Sequence, residues 1–191
     1  MRGVLGMLLL CGAAAAQAAP ALKSGVFAPA RMAPEIAQKA ADGAEFRLSA
    51  LRGKVVVLEF GFTHCPAVCP ASLAALAAAR QKLGANADRL QVVFVSVDPE
   101  RDTPARLTSY LAQFDKSFIG ITGTLEQMAA IRKDYGITAT RHPIGESKTQ
   151  YQMGHSSYLY FIDKKGMLRA LMPFGRPADE IVHDVNVLGA E

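Results

Sequence analysis

The 191-residue chain lacks any long block of charge and any internal repeat. It carries 21 Lys and Arg residues against 17 Asp and Glu residues, a formal net charge of only +4. No basic cluster and no stripe of basic residues interleaved with aromatic residues occurs along it. Such patterns accompany nucleic-acid binding, so we expect no nucleic-acid partner. The absence of internal repeats excludes repeat architectures, and low-complexity sequence is confined to the alanine-rich start.

Cysteine is also scarce, and one of the three cysteines lies in the first residues of the chain. Arg2 precedes the apolar run Val4 to Cys11, and Ala16-Gln17-Ala18 follows an alanine tract. A charged start, an apolar stretch and small residues before a cleavage site are typical of a signal peptide. We therefore expect residues 1–18 to direct export to the periplasm. An uncleaved anchor facing the periplasm stays open, because the apolar stretch is nearly long enough to span a membrane.

The remaining chain is the right size for one domain. About 170 residues can bury a sizeable core. Residues 19–33 are rich in Pro, Gly and other small residues, which predicts a tether. Residues 34–191 are the predicted folded domain.

Apolar periodicity within this domain alternates between two kinds. Short runs rich in β-branched and aromatic residues predict buried strands at Val55–Phe60, Gln91–Val97 and Tyr158–Ile162, with a weaker candidate at Phe118–Ile121. Helical spacing predicts helices at Leu73–Leu83, from Pro104 to about Phe114, at Leu125–Tyr135 and at Pro177–Leu188. Asp163–Gly166 predicts a hairpin turn leading into Met167–Met172. The polar segment from Thr138 to Gln152 is predicted to be a loop.

Two cysteines lie between the first of these strands and the first helix. Cys65 and Cys69 are spaced i,i+4, so at the start of a helix both sulfurs lie on one face. Backbone N–H groups and the helix dipole there favour thiolate over thiol. Thiolates bind soft metals or attack disulfides. A structural disulfide is the remaining interpretation, although a bridge closing so short a loop stabilises little.

The order of elements and the position of the dithiol predict a fold. The order is β-α-β-α-α-β-β-α, with the two cysteines directly after the first core strand. This pattern favours an α/β, thioredoxin-like fold with a central mixed sheet flanked by helices.

Three sequence blocks resemble the signature blocks of the Sco/SenC copper chaperones. The blocks are Phe60–Pro70 with both cysteines, Val95–Pro104, and Gly154–Asp163 with His155, and the resemblance extends from about residue 44 to 188. It implies a thioredoxin-like domain that holds one copper ion through Cys65, Cys69 and His155. It further implies a role in assembling the binuclear copper centre of cytochrome c oxidase. The implied partners are the copper-accepting oxidase subunit and either a periplasmic copper donor or a thiol reductant.

The implied ligands suit copper on chemical grounds. Two thiolates and one imidazole form a soft, low-coordinate set that suits Cu(I) and can also hold Cu(II). Structural zinc would require a fourth protein ligand, and no further cysteine exists once Cys11 is removed.

Several neighbouring residues have two interpretations. Asp98 ends the second predicted strand, and the resemblance suggests that it supports the ligands, whereas the simpler interpretation is a turn acid before Pro99. Asp102 and Thr103 are predicted to cap the helix that Pro104 begins. Met153 shares a face with His155 if the segment is extended, but packing explains it better. His64 is expected to be a supporting or structural residue, and His142 and His183 to be surface residues.

A second function stays open beside the chaperone. In a thiol:disulfide oxidoreductase, Cys65 would attack a disulfide on the acceptor and Cys69 would resolve the mixed disulfide. General disulfide exchange is disfavoured. Thioredoxin-type oxidoreductases have two residues between their cysteines and a cis-proline opposite them, whereas this chain has three intervening residues and Gly154-His155-Ser156 where that proline is expected. Peroxidase activity is a weaker third choice, since Leu58 and Phe62 stand where peroxiredoxins have Pro and Thr.

Overall fold

The structure is a computed structural model that describes residues 21–146 and 150–191. The predicted signal peptide at 1–18 lies outside the described residues. Across the part of the chain that is described, no helix is long and apolar enough to cross a membrane.

Within the described residues the chain forms ten strands and four α-helices. The strands are β1 (Gly25–Met32), β2 (Ala37–Lys39), β3 (Glu45–Arg47), β4 (Val55–Gly61), β5 (Leu90–Ser96), β6 (Ile119–Ile121), β7 (Ala139–Pro143), β8 (Tyr151–His155), β9 (Tyr158–Ile162) and β10 (Met167–Pro173). The helices are α1 (Val68–Leu83), α2 (Pro104–Leu111), α3 (Leu125–Tyr135) and α4 (Ala178–Ala190).

Six strands build one mixed sheet at the centre of the molecule. Their order is β1-β10-β9-β4-β5-β6. Strand β4 pairs parallel with β5 and antiparallel with β9, so it lies in the middle of the sheet. All seven residues of β4 and of β5 are buried, as expected for central strands covered on both faces. The α/β architecture and the strands predicted from the long apolar runs are confirmed.

Local sequence signals explain where the helices begin and end. The Thr103 side chain accepts a hydrogen bond from the backbone of Arg106 and caps α2, with Pro104 in its first turn. Thr124 and Gln127 form a reciprocal capping box at the start of α3. Gly136 ends α3 with a φ of 69°, a left-handed conformation that glycine adopts without steric cost.

The structure differs from the sequence prediction in two segments. Residues 25–32, predicted as part of a tether, form β1 and pair antiparallel with β10 at the edge of the sheet. The buried carboxylate of Asp184 on α4 holds the preceding residues, because it accepts bonds from the backbone N–H groups of Lys23 and Ser24. The predicted loop from Thr138 to Gln152 contains β7 and the first two residues of β8, and the two strands pair with each other in a separate hairpin. The first error arises because strand pairing between distant segments leaves little local signal. The second arises because β7 is polar and mostly exposed, so it lacks the apolar run that marks a buried strand.

Candidate metal centre

The two cysteines lie at the junction of β4 and α1. Because α1 begins at Val68, Cys65 lies in the turn before the helix and Cys69 is its second residue. Both are free thiols; Cys65 is partly exposed, and Cys69 is only 1% exposed. Gly61 allows Cys69 to pack closely against the strand, since a Cβ at residue 61 would lie 2.9 Å from the Cys69 sulfur.

Hydrogen bonds make the two thiols electrostatically unequal. The Cys69 thiol donates to Cys65, and backbone N–H groups at the start of α1 add to this, which lowers the pKa of Cys65 to about 5. The Cys69 N–H lies 3.4 Å from the Cys65 sulfur. Donation to Cys65, together with burial, raises the pKa of Cys69. At neutral pH, Cys65 is therefore a thiolate and Cys69 a protonated thiol.

His155 reaches this pair from a different part of the fold. It is the last residue of β8, and its Nδ1 lies 2.9 Å from the carbonyl oxygen of Ser156. A carbonyl only accepts, so Nδ1 carries the proton and the lone pair is on Nε2. That Nε2 lies 3.9 Å from the Cys69 sulfur. The Phe62 ring and the imidazole pack nearly perpendicular to each other, with ring centres 5.7 Å apart.

The three predicted ligands lie near one another, but their donor atoms are not yet arranged to coordinate a metal ion. Across residues 21–146 and 150–191, no three His, Cys, Asp or Glu side chains already form a cluster that could hold a metal ion. The donor chemistry nevertheless fits a soft ion, since one sulfur is a thiolate and the imidazole Nε2 has a free lone pair. A bound ion would require the Cys65, Cys69 and His155 donors to converge further.

Asp98 lies beside the site but bonds to the hairpin rather than to the three donors. It is 2% exposed, and its carboxylate accepts from the Tyr151 hydroxyl at 2.7 Å and from Arg101 Nε at 2.5 Å. Tyr151 is the first residue of β8, the strand that ends at His155. Asp98 therefore acts on the segment that carries the histidine.

Asp102 has a role that the sequence prediction missed. Thr103 alone caps α2, whereas the fully buried Asp102 accepts from the backbone N–H of Thr63 and from its hydroxyl at 2.7 Å. Ser96 donates to the second carboxylate oxygen, also at 2.7 Å. Burial raises the pKa of Asp102. This carboxyl group fastens the turn two residues before Cys65 to the end of β5, and no spacing signal distinguishes it from a cap.

Glu59 is a second residue that sequence reasoning missed. It is 4% exposed on β4, and within the described residues its Oε2 has no hydrogen-bond partner. Burial raises its pKa well above the ordinary value. Glu59, Cys69 and His155 line a cavity of about 10 Å³, close to the volume needed for one water molecule. The only sequence signal was one charged residue inside an apolar strand.

The other candidates lie outside the donor set. Burial, followed by the positive charge of Arg106, lowers the pKa of His64, whose Nδ1 lies 3.3 Å from the Thr63 hydroxyl. His142 is exposed on β7, and His183 lies on α4 with its Nδ1 2.9 Å from Asp184. Met153 packs against the core, as the packing interpretation predicts.

The fold and the site define a class of protein: a single α/β domain with an unequal pair of thiols at a strand-to-helix turn and a histidine facing them. The family model described as SCO1/SenC matches residues 31–189. The chain therefore belongs to the SCO1/SenC family, and the family resemblance of the three sequence blocks is confirmed.

Individual relatives agree with this assignment. The mitochondrial SCO2 homolog of Mus musculus is 35% identical over 136 residues, which is 70% of this chain and 53% of the mouse protein. The chain thus spans about half the length of that relative.

Solved structures match over more of their length. Apo Sco1 from Thermus thermophilus is 32% identical with a TM-score of 0.78, covering 88% of this chain and 97% of that one. ScoI from Bradyrhizobium japonicum with copper bound is 30% identical with a TM-score of 0.73, covering 81% and 98%. These neighbours confirm the thioredoxin-like fold.

Proposed function

We propose that this protein is an exported copper chaperone that binds one copper ion through Cys65, Cys69 and His155. The observation that carries the proposal is the approach of His155 Nε2 to within 3.9 Å of the Cys69 sulfur, beside the Cys65 thiolate. Two sulfurs and one imidazole nitrogen match the preferences of Cu(I) and can also accommodate Cu(II). The solved relative with copper bound supports the same cargo.

The arrangement suits an ion that must be passed on. Three protein donors leave a coordination position open, through which a donor group of the acceptor can enter before the chaperone's ligands leave. Cys65 is the more accessible sulfur, so exchange with an incoming thiol begins there. We propose the copper-accepting subunit of cytochrome c oxidase as the acceptor, in line with the family's role in assembling that enzyme. The copper reaches this site from a periplasmic donor.

A Cu(I) titration in competition with a chromophoric chelator tests copper binding. The reduced exported protein should bind about one equivalent. Cys65→Ser and Cys69→Ser should each abolish tight binding, and His155→Ala should weaken it. His142→Ala is the matched control, because His142 is an exposed histidine on the other strand of the same hairpin. Equal affinity of the double cysteine variant and the wild-type protein would refute the proposal.

The unequal thiols favour a second candidate function, the reduction of the acceptor's copper-site cysteines. The Cys65 thiolate would attack the acceptor disulfide, forming a mixed disulfide and releasing one acceptor thiolate. Cys69 then loses its proton and attacks Cys65, which releases the second acceptor thiolate. The chaperone ends as a disulfide, the acceptor as a dithiol, and a periplasmic thiol reductant restores the starting state. His155→Ala separates the two functions, because it removes a copper ligand and leaves both thiols.

A further inference from the structure

The hairpin that carries His155 has few bonds of its own to the rest of the fold. Strands β7 and β8 pair only with each other and not with the six-stranded sheet, as far as the described residues extend. Four of the five β7 residues are exposed. A two-stranded hairpin is only marginally stable in water, so contacts outside its ladder must fix it in place.

Tyr151, at the start of β8, makes such contacts. It is 6% exposed, and its ring lies between two guanidinium groups, those of Arg101 at 3.7 Å and Arg141 at 3.8 Å from the ring centre. Its hydroxyl donates to the buried carboxylate of Asp98 at 2.7 Å. A hydrogen bond to a charged, buried acceptor is among the stronger kinds in proteins.

Arg101 makes a second contact with Tyr151 and also reaches the Phe62 ring beside His155. Its Nη1 donates to the Tyr151 carbonyl oxygen at 3.0 Å, while its Nε bonds to Asp98. The guanidinium also lies 5.9 Å from the centre of the Phe62 ring. That ring packs nearly perpendicular to the imidazole of His155. We call Asp98, Arg101 and Tyr151 the hairpin clasp.

The clasp acts on the same face of the strand as the histidine. Side chains alternate along a strand, so Tyr151 and His155, four residues apart, point to one side of β8. Burial follows this alternation: Tyr151 is buried, residues 152 and 154 are exposed, and His155 is partly buried. Fixing Tyr151 therefore fixes the side of the hairpin that faces the thiols.

We propose that Tyr151 is a positioning residue: through its hydroxyl bond to Asp98, it holds the β7–β8 hairpin closed so that His155 stays over Cys69. The consequence for copper affinity rests on the proposed function, whereas the effect on the hairpin does not. Within the described residues, no hydrogen bond or ring contact joins Tyr151 to Cys65, Cys69 or His155, so its effect is transmitted through the strand.

The test compares Tyr151→Phe with Tyr135→Phe. The first variant keeps the ring between the two arginines and loses only the hydroxyl. Tyr135 is a matched control, because it is also buried and its hydroxyl also makes one short bond, to Pro34 O at 2.6 Å, a residue outside the hairpin and the clasp. Hydrogen exchange of the metal-free protein should show the β7–β8 amides about tenfold faster in Tyr151→Phe and unchanged in Tyr135→Phe. Exchange in β4 and β5 should be the same in both.

Copper binding supplies the second measurement. Tyr151→Phe should weaken Cu(I) binding by about tenfold and change the Cu(II) absorption spectrum as His155→Ala does, while Tyr135→Phe does neither. Unchanged hairpin exchange would overturn the clasp, and faster exchange with unchanged copper affinity and spectrum would overturn the positioning role. A wild-type protein that binds no copper would refute the proposed function while the exchange result still decides the clasp.

Discussion

The inequality of the two thiols leads to a quantitative prediction for alkylation. The pKa of Cys65 is about 5, whereas an ordinary cysteine has a pKa of 9.0. At pH 7 about 99% of Cys65 is then thiolate, compared with about 1% of an ordinary cysteine, so the reactive fraction is about a hundredfold larger. A low-pKa thiolate is intrinsically less nucleophilic: over the four pKa units between 9.0 and 5, a Brønsted coefficient of about 0.4–0.5 lowers its reactivity about 40- to 100-fold, so the net gain in rate at pH 7 is at most about threefold.

The cause of the lowered pKa can be tested separately. The largest contribution is the hydrogen bond from the Cys69 thiol, followed in the same direction by backbone N–H groups of α1. Cys69→Ala removes the thiol donor and leaves the backbone donors in place. The pKa of Cys65 should therefore rise above 5 in this variant, because only the weaker backbone donors then oppose the effect of burial.

Iodoacetamide labelling followed by mass spectrometry measures both effects. Reduced, metal-free protein is labelled between pH 3.5 and 9, and the rate at each cysteine is followed by peptide mapping. The midpoint for Cys65 should lie near 5, and Cys69 should label slowly because it is buried. A Cys65 midpoint between 8 and 9, or faster labelling of Cys69 than of Cys65, would refute the reasoning.

Three further predictions concern the residues around the thiols. Burial raises the pKa of Glu59, so the contribution of this residue to stability is full below the ordinary pKa and is lost as pH rises towards the folded-state pKa. In urea unfolding from pH 5 to 8, the wild-type protein should lose up to about 1.4 kcal/mol of unfolding free energy per pH unit relative to Glu59→Gln. A difference that does not change with pH would contradict this. Gly61→Ala should cost about 1–3 kcal/mol of unfolding free energy through overpacking against the Phe94 ring and the Cys69 sulfur, measured by urea denaturation, and no loss would show that these neighbours move aside. Asp102→Asn should cost about 1–3 kcal/mol in thermal unfolding, because it weakens the bonds to the dithiol turn, whereas the exposed Asp88→Asn should change stability by less than about 0.5 kcal/mol.

The parts of the fold that the sequence predicted are those with long, buried, apolar runs. Strands β4 and β5 are rich in valine and phenylalanine, and every position in them is buried. Burial on both faces leaves a continuous apolar signal that needs no knowledge of the partner strand. Strand β1 has the opposite character: it contains two alanines, a proline and an arginine, most of its residues are exposed, and its pairing with β10 joins segments more than 130 residues apart.

The site was predictable only in part for a related reason. Spacing alone placed Cys65 and Cys69 at a strand-to-helix turn, because both are local in sequence. The choice of His155 depended on the family resemblance, since no local pattern joins a histidine to cysteines 86 residues away. Asp102 gave no usable signal, because an aspartate that caps a helix and one buried beneath a turn have the same sequence context. Glu59 gave only the signal of one charged residue inside an apolar strand, which does not predict a carboxyl group beside the thiols.

The two halves of the site are held by different carboxylates, Asp102 and Asp98, whose contacts meet at Ser96 and at the packing of Phe62 against His155. The thiols lie on a turn fixed to the central sheet by Asp102, and their inequality is set by Cys69 and the start of α1. His155 lies on a hairpin outside that sheet. Substitutions in one half that spare Ser96 and Phe62 should therefore leave the other half nearly unchanged, since effects of sites without shared partners are additive. The reactivity of Cys65 can then be tuned without altering the histidine, and the hold on a bound ion can be loosened at the hairpin while the dithiol keeps its geometry.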